Sequence, residues 1–112
     1  MDTPGYTKKT VDVGNRSFQV QLIRFENGNF VSISEGSQKL GSMVVSIGTG
    51  PRPTTTTIIP AKTGSLFLKL TAEKISTYAK GISIVSMFAT NELGNDVAKA
   101  LMTNIMEMVR AE

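Results

Sequence analysis

The chain has 112 residues, 40% of them hydrophobic and 19% charged, with a formal net charge of +3 and a pI near 9.4. This composition is that of a globular domain with one hydrophobic core, which excludes a disordered or fibrous chain. Because the sequence has no cysteine and no run of about 20 uncharged apolar residues, we expect no disulfide, no membrane-spanning helix and a soluble cytoplasmic or nuclear protein.

The positive charge raises the question of nucleic-acid binding, which needs clustered lysines and arginines to contact phosphates. Here the basic residues are spread along the chain, and the aromatic residues near them that are able to stack on bases are Tyr6 and Tyr78. We therefore expect neither a nucleic-acid nor a membrane partner.

The first half of the chain is typical of β-strands. Met1 to Gly5 is polar and predicts a disordered tail, which leaves residues 6–112 as a single domain. Tyr6 to Val13 predicts a first strand that ends in a tight turn at Gly14–Asn15. In the second strand, apolar residues alternate with Gln19 and Gln21, and the change of parity predicts a bulge near Leu22–Ile23.

Three further strands follow. Asn27–Gly28 is a strong hairpin signal, and it predicts that Phe30 to Ser34 returns antiparallel to the second strand. After the polar connection Glu35 to Gly41, Met43 to Ile47 predicts a fourth strand. Thr54 to Ile59 is β-branched throughout and predicts a fifth, because stiff branched side chains suit a pleated sheet.

The period then changes to that of helices. An apolar stripe predicts a first helix with Thr63 or Ser65 as N-cap and Gly81 as the C-terminal glycine; its members are Leu68, Ala72, Ile75 and Ala79. Ile82 to Phe88 predicts a sixth strand. Asn95 or Asp96 is expected to cap a second helix, whose stripe is Val97, Leu101, Ile105, Met108 and Val109.

These elements predict an α+β fold of order βββββ-α-β-α, with a mainly antiparallel sheet of five to six strands and both late helices on one face. Four segments contain no charged residue, namely Phe30 to Ser34, Ser42 to Gly50, Thr54 to Ala61 and Ile82 to Asn91, whereas a solvated sheet face alternates apolar with charged residues. We therefore expect a dimer in which a partner chain covers the second face, since interface centres are poor in charge. The predicted interface residues are Gln19, Gln21, Ser32, Ser34 and Ser46. The alternative is a serine-rich face that stays solvated.

The residue types argue against catalysis. The sequence has no histidine and no cysteine, so the commonest general base, metal ligand and activated nucleophile are all missing. We interpret the nine carboxylates as mostly solvated, and the glycines from Gly48 to Gly50 as a loop because prolines follow where a phosphate-binding helix would begin. We therefore expect no enzyme, no metal and no cofactor.

Methionine is common at adaptable binding surfaces. Met102 and Met106 lie four residues apart and off the apolar stripe of the second helix, so we predict that they contact a partner. Arg52, in the loop from Gly48 to Pro53, is a further predicted contact.

The sequence resembles a known protein family. Val13 to Ile47, with its hairpin and its Leu-Gly-Ser-Met step from Leu40 to Met43, is similar to the small eukaryotic proteasome assembly chaperones, the third and fourth members. The run Thr54 to Ile59, the Thr/Gly/Ser loop, a helix, the strand Ile82 to Phe88 and a last helix resemble their C-terminal half.

This resemblance implies a non-enzymatic protein that dimerises, typically as a heterodimer of the two members. The pair binds α subunits of the core proteasome while the α-ring assembles, and it leaves by steric overlap with arriving β subunits. The alternative is another dimeric α+β adaptor, of the roadblock or longin-like kind, although those folds place a helix earlier in the chain.

Overall fold

The computed structural model describes residues 5–62 and 64–111, and the predicted tail, apart from Gly5, lies outside them. Eight elements form in the described residues. They are β1 (Tyr6–Val13), β2 (Arg16–Phe25), β3 (Gly28–Glu35), β4 (Ser42–Ile47), β5 (Thr54–Ile59), α1 (Ser65–Ala79), β6 (Ile82–Phe88) and α2 (Asn95–Arg110).

The strands form one six-stranded sheet in the order β1-β2-β3-β6-β4-β5. The pairs β1/β2, β2/β3, β6/β4 and β4/β5 are antiparallel, and β6 runs parallel to β3. The predicted α+β class, the element order and the antiparallel pairing of the second and third strands are confirmed. Because β6 is inserted at the centre of the sheet, it is apolar on both faces, which explains its lack of charge.

Both helices pack on the same face of the sheet, α1 over β4 and β6 and α2 over β1 and β2. The strands bury alternate residues beneath them, as period-two geometry requires. The core comprises Val11, Phe18, Val20, Leu22, Val31, Ile33, Val44, Val85 and Met87 from the sheet, Phe67, Leu68, Ala72 and Ile75 from α1, and Val97, Leu101, Ile105, Met106, Met108 and Val109 from α2. Of the predicted stripes, Ala79 alone is exposed, in the last turn of α1.

The predicted bulge near Leu22–Ile23 is wrong. The whole of β2 pairs with β1 and with β3 without a register shift. Leu22 is buried beneath the helices and Ile23 faces the other way, so the change of parity reflects a strand that is apolar on both faces. The register shift of this sheet lies between Met43 and Val44, where β4 pairs with β5.

The predicted hairpin at Asn27–Gly28 forms one residue earlier than expected. Phe25 pairs with Gly28, so Glu26 and Asn27 make the turn and Gly28 is the first residue of β3. A Cβ atom at Gly28 would overlap the carbonyl oxygen of Ile82 in β6. Glycine is needed here because two strands approach closely.

The predicted N-terminal caps are wrong where the structure describes them. Gly64 and Gly94 occupy the N-cap positions without a side-chain hydrogen bond, and Ser65, Asn95 and Asp96 lie inside the helices. The other predicted cap, Thr63, lies outside the described residues.

At the C-terminus of α1, Lys80 rather than Gly81 adopts the left-handed conformation, with φ 54°. The N–H groups of Lys80 and Gly81 both donate to the carbonyl oxygen of Ser76, which closes the helix. Gly81 is instead close to the backbone of Asn27, where a Cβ atom would not fit.

Glu35 corrects the expectation of solvated carboxylates. Its side chain is 11% exposed, and it accepts hydrogen bonds from Arg16 Nε at 2.8 Å and Nη2 at 2.7 Å. The N–H and hydroxyl groups of Thr90 also donate to it, both at 2.9 Å. Arg16 continues to the carbonyl oxygens of Asn91 and Glu92, so this network joins β2, β3 and the connection from β6 to α2.

Candidate interaction surface

Most of the sheet face opposite the helices is uncovered by the described residues, and we call it the open face. At one end of this face, the connection between β3 and β4 covers Ser34 and Ser86. The strand register places one apolar row across all six strands, and each member is paired with the next. This central row is Tyr6, Ile23, Phe30, Ile84, Val45 and Thr56. A second row, two residues further along each strand, contains Lys8, Gln21, Ser32, Ser86, Met43 and Ile59.

The open face leaves large apolar side chains in solvent. Tyr6, Ile23, Ile47 and Ile59 are between 38% and 44% exposed, and Phe25, at the tip of the β2/β3 hairpin, is 60% exposed. Scattered exposed apolar residues are ordinary, but a contiguous apolar patch marks an interaction site.

Charge is confined to the border of this face. Among its strand residues, the charged ones described are Lys8 and Asp12, both in β1 at one edge. The ammonium group of Lys39 lies 4.9 Å from the centroid of the Phe88 ring at one end of the face. A centre without charge and a charged rim are the pattern of a protein interface.

The connection between β3 and β4 forms a raised border beside the open face. The hydroxyl group of Ser34 donates to the carbonyl oxygen of Lys39 at 3.0 Å, and the N–H of Lys39 lies 3.2 Å from the same hydroxyl oxygen. These bonds hold the connection against the sheet while Leu40 remains 65% exposed. A shallow depression between Leu40 and Phe30 is left beside it.

The strand register places four of the five predicted interface residues on the side of the open face: Gln19, Gln21, Ser32 and Ser34. Ser34 is 1% exposed, because the connection between β3 and β4 covers it, so it is not accessible to a partner. The side-chain oxygen of Gln19 is buried and has no hydrogen-bond partner in the described part of the chain. The amide nitrogen of Gln19 donates to the hydroxyl oxygen of Thr10 at 3.1 Å, so this side chain is held against β1.

Ser46 was assigned to the wrong face. It is fully buried beneath α1, and its hydroxyl lies 3.0 Å from those of Ser76 and Thr55. The parity of β4 was ambiguous in the sequence because Val44 and Val45 are both apolar. Val44 belongs to the core and Val45 to the open face, which places Ser46 with Val44.

The apolar members of the open face were missed as interface residues. Ile23, Phe30, Ile84 and Val45 all lie in predicted strands, but the predicted interface comprised polar residues of the strands instead. Apolar residues at consecutive positions of one strand identify them. A sheet that is covered on one side needs apolar residues only at alternate positions, so consecutive ones indicate that the second face is also apolar.

The predicted contacts outside the sheet have different environments. Met106 is 5% exposed and belongs to the core, so its assignment to a surface was wrong. Met102 is half-buried, with its sulfur 3.6 Å from the hydroxyl oxygen of Thr71, beside the exposed Leu66 and Leu70 of α1. Arg52 is exposed in the loop between β4 and β5.

Titratable groups do not converge on a cleft. Across residues 5–62 and 64–111, no three acidic side chains come close enough to hold a metal ion. Neither described helix is long and apolar enough to cross a bilayer. The pKa of Glu35 is lowered to about 2, chiefly by its hydrogen bonds from Arg16. This carboxylate lies in the network that joins three segments of the fold and not in a cleft.

Comparison with known proteins gives a likeness of fold. No family model and no curated protein matches the sequence. The structure is similar to a chain in the crystal structure of a chaperone complex for yeast 20S proteasome assembly, with a TM-score of 0.66 over 93% of this chain and 96% of that chain. The two sequences are 12% identical, so the likeness establishes a shared fold.

Proposed function

We propose that this chain is a non-catalytic proteasome assembly chaperone, active in the cytoplasm or the nucleus. It dimerises through the open face, with a related small chaperone or with itself, and it binds α subunits of the core proteasome. The observation that carries the proposal is the uncharged apolar row across the sheet of a fold shared with a proteasome assembly chaperone. The dimer would hold an incomplete ring by binding energy alone.

The open face is large enough for a dimer interface. Six strands about 4.8 Å apart and about seven residues long give a projected area on the order of 500 Å². The same area on a partner gives about 1,000 Å², which is the lower range for a specific interface. The raised border at Leu40 and the hairpin tip at Phe25 extend this area beyond the strands.

Ser32→Glu tests the dimer interface directly. Ser32 lies in the middle of the open face, between Gln21 of β2 and Ser86 of β6. In a separate monomer the new carboxylate is hydrated, but in a dimer the partner chain removes this water. Burial of an unpaired charge costs about 3 kcal/mol or more, which weakens dimerisation more than about 100-fold.

Thr103→Glu is the matched control, because Thr103 is exposed on α2, away from the open face. Two differently tagged copies, expressed together in the native cell, report self-association, and mass spectrometry identifies any related partner. We expect Ser32→Glu to lose the small partner chain and Thr103→Glu to keep it. Retention of that partner by the Ser32→Glu protein would place the interface elsewhere.

The same purification tests the function. We expect the wild-type chain to bring down proteasome α subunits together with the small partner chain. A stable complex that contains the partner but no proteasome subunit would contradict the chaperone proposal. It would leave a dimeric adaptor module as the function.

A further inference from the structure

The second edge of the sheet, β5, differs from the first in its chemistry. We infer that β5 is a docking site for an extended segment of a partner protein, which adds a seventh strand and has an uncharged β-branched centre with acidic residues at its ends. This site is the outer backbone edge of β5, some of whose side chains also lie on the open face, and the inference does not rest on the proposed function.

The two edge strands are β1 and β5. β1 has three charged residues, Lys8, Lys9 and Asp12, and charged side chains are a common means of preventing edge-to-edge association. β5 has the sequence TTTTII without a charge or an internal proline, and five of its six residues are exposed. A strand of this kind is unprotected, and it suits the addition of another strand.

The backbone of β5 is available on its outer side. β5 pairs with β4 alone, and none of the other backbone hydrogen bonds of residues 5–62 and 64–111 involves it. From Thr54 to Thr57 the pairing with β4 is regular, whereas Ile58 has no opposite residue. The outer N–H and C=O groups of this regular stretch require an extended polypeptide as their protein partner.

β5 is also held in place before any partner arrives. The Thr55 hydroxyl donates to Glu73 of α1 at 2.8 Å and lies 3.0 Å from the hydroxyl oxygen of Ser46. The strand is therefore fixed to the helix and to its neighbour, which lowers the entropy cost of adding a segment. Pro53 and Pro60 limit the site to six residues, about 20 Å of strand.

Charge at the two ends indicates which segment fits. Arg52 precedes β5 and Lys62 follows it; both are exposed, and neither forms an ion pair within residues 5–62 and 64–111. A second copy of β5 would bring like charges together. Antiparallel self-pairing places Arg52 of one copy near Lys62 of the other, and parallel pairing in register places Arg52 beside Arg52. An acidic residue at each end of the docking segment instead gives attraction at both ends.

Four synthetic peptides test this inference by NMR titration of the whole chain. The first has a Thr-Val repeat between acidic ends, EETVTVTVEE, and the second has the same centre between basic ends, KKTVTVTVKK. The third and fourth are the acidic peptide with N-methyl groups at alternate residues, at odd positions in one and at even positions in the other. In one of these two peptides, the N–H groups that would donate to β5 are lost. We expect the acidic peptide to shift the amide resonances of β5 at millimolar concentration.

We expect the acidic peptide to bind about fivefold to tenfold more tightly than the basic one, because several exposed pairs act together. This preference should shrink as salt rises, because exposed charges are screened. The effect of N-methylation should persist at high salt, since it acts on hydrogen bonds.

A charge-reversed protein provides the decisive control. In Arg52→Glu/Lys62→Glu the peptide preference should invert, so that the basic peptide binds more tightly. Lys8→Glu/Lys99→Glu has the same net charge but changes exposed positions in β1, at the opposite edge of the sheet, and in α2, which packs over β1 and β2, and its preference should match that of wild type. Circular dichroism establishes that both variants fold.

Equal binding of the acidic and basic peptides would refute the charge assignment. No shift of the β5 amide resonances, or full binding by both N-methylated peptides, would refute strand addition. If reversing the charge of Arg52 and Lys62 changes the oligomeric mass of the free protein but leaves the binding of both peptides unchanged, β5 would be an interface with a second copy. That result would overturn the inference.

Discussion

The ion pair between Arg16 and Glu35 makes the stability of this fold depend on acid pH. Hydrogen bonds from the guanidinium, and from Thr90, lower the pKa of Glu35 from its ordinary value of 4.5 to about 2, although burial acts in the opposite direction. A lowered pKa in the folded state means that folding favours the ionised carboxylate. Its contribution is complete above about pH 4.5 and is lost as the pH falls through about 2.

The size of this contribution follows from the pKa change. At 1.36 kcal/mol for each tenfold change in proton affinity, a fall from 4.5 to about 2 corresponds to about 3 kcal/mol. The side chains of Arg16 and Glu35 are 18% and 11% exposed, so solvent reduces the interaction somewhat. We expect Glu35→Gln to lower the free energy of unfolding by about 2 kcal/mol at pH 7.

Urea unfolding at pH values from 7 to 2, at one protein concentration, measures this effect. With a slope of about 1 to 2 kcal/mol per molar, the midpoint of Glu35→Gln should lie about 1 to 2 M below that of wild type at pH 7. The two proteins should converge as the pH approaches 2.

Glu107→Gln is the control for the acid profile, because Glu107 is 62% exposed and 3.6 Å from Lys9. Its effect should stay below about 1 kcal/mol. A constant difference between wild type and Glu35→Gln from pH 7 to pH 2 would refute the assignment of the low pKa to this network.

Two further predictions concern the backbone at Lys80 and at Gly28. Lys80→Gly should raise the free energy of unfolding by about 1 kcal/mol, because Lys80 adopts a left-handed conformation that glycine takes without strain; an unchanged thermal midpoint would contradict this. Gly28→Ala should lower it by about 2 kcal/mol or more, because the new Cβ atom overlaps the Ile82 carbonyl oxygen in β6. Gly50→Ala, in an open loop, should change it by less than about 0.5 kcal/mol, and equal effects of the two alanines would refute the steric argument.

The order of elements could be predicted because each one has a clear local period. The alternation around Val20 and the stripe through Leu101 depend on residues that are close in sequence, and both survive in the structure. The helix caps could not be predicted, because glycines fill both N-cap positions and the polar residues nearby lie inside the helices. The role of Glu35 depends on partners 19 and 55 residues away, which no local pattern indicates.

The open face could be predicted only in part, because the sequence does not always show to which face of the sheet a strand residue points. β4, β5 and β6 have no charged residue and β3 has one only at its end, so the existence of an uncharged face followed from the sequence. Which residue faces which way depends on the register, and in β4 two adjacent valines leave both choices open. Ser46 was therefore exchanged for Val45, and the apolar centre of the surface was overlooked in favour of its polar neighbours.

A chain bound to the open face and a strand added at β5 would contact mostly different atoms of this protein, so most of the two binding surfaces can be occupied together. A chain docked on the open face approaches perpendicular to the sheet, whereas a strand added at β5 approaches in the plane of the sheet and extends it. Thr54, Thr56 and Ile59 belong to both surfaces, because their side chains project to the open face from the edge strand. An added strand would therefore extend the apolar row that begins at Tyr6, so occupation of β5 should enlarge the open face and strengthen association there.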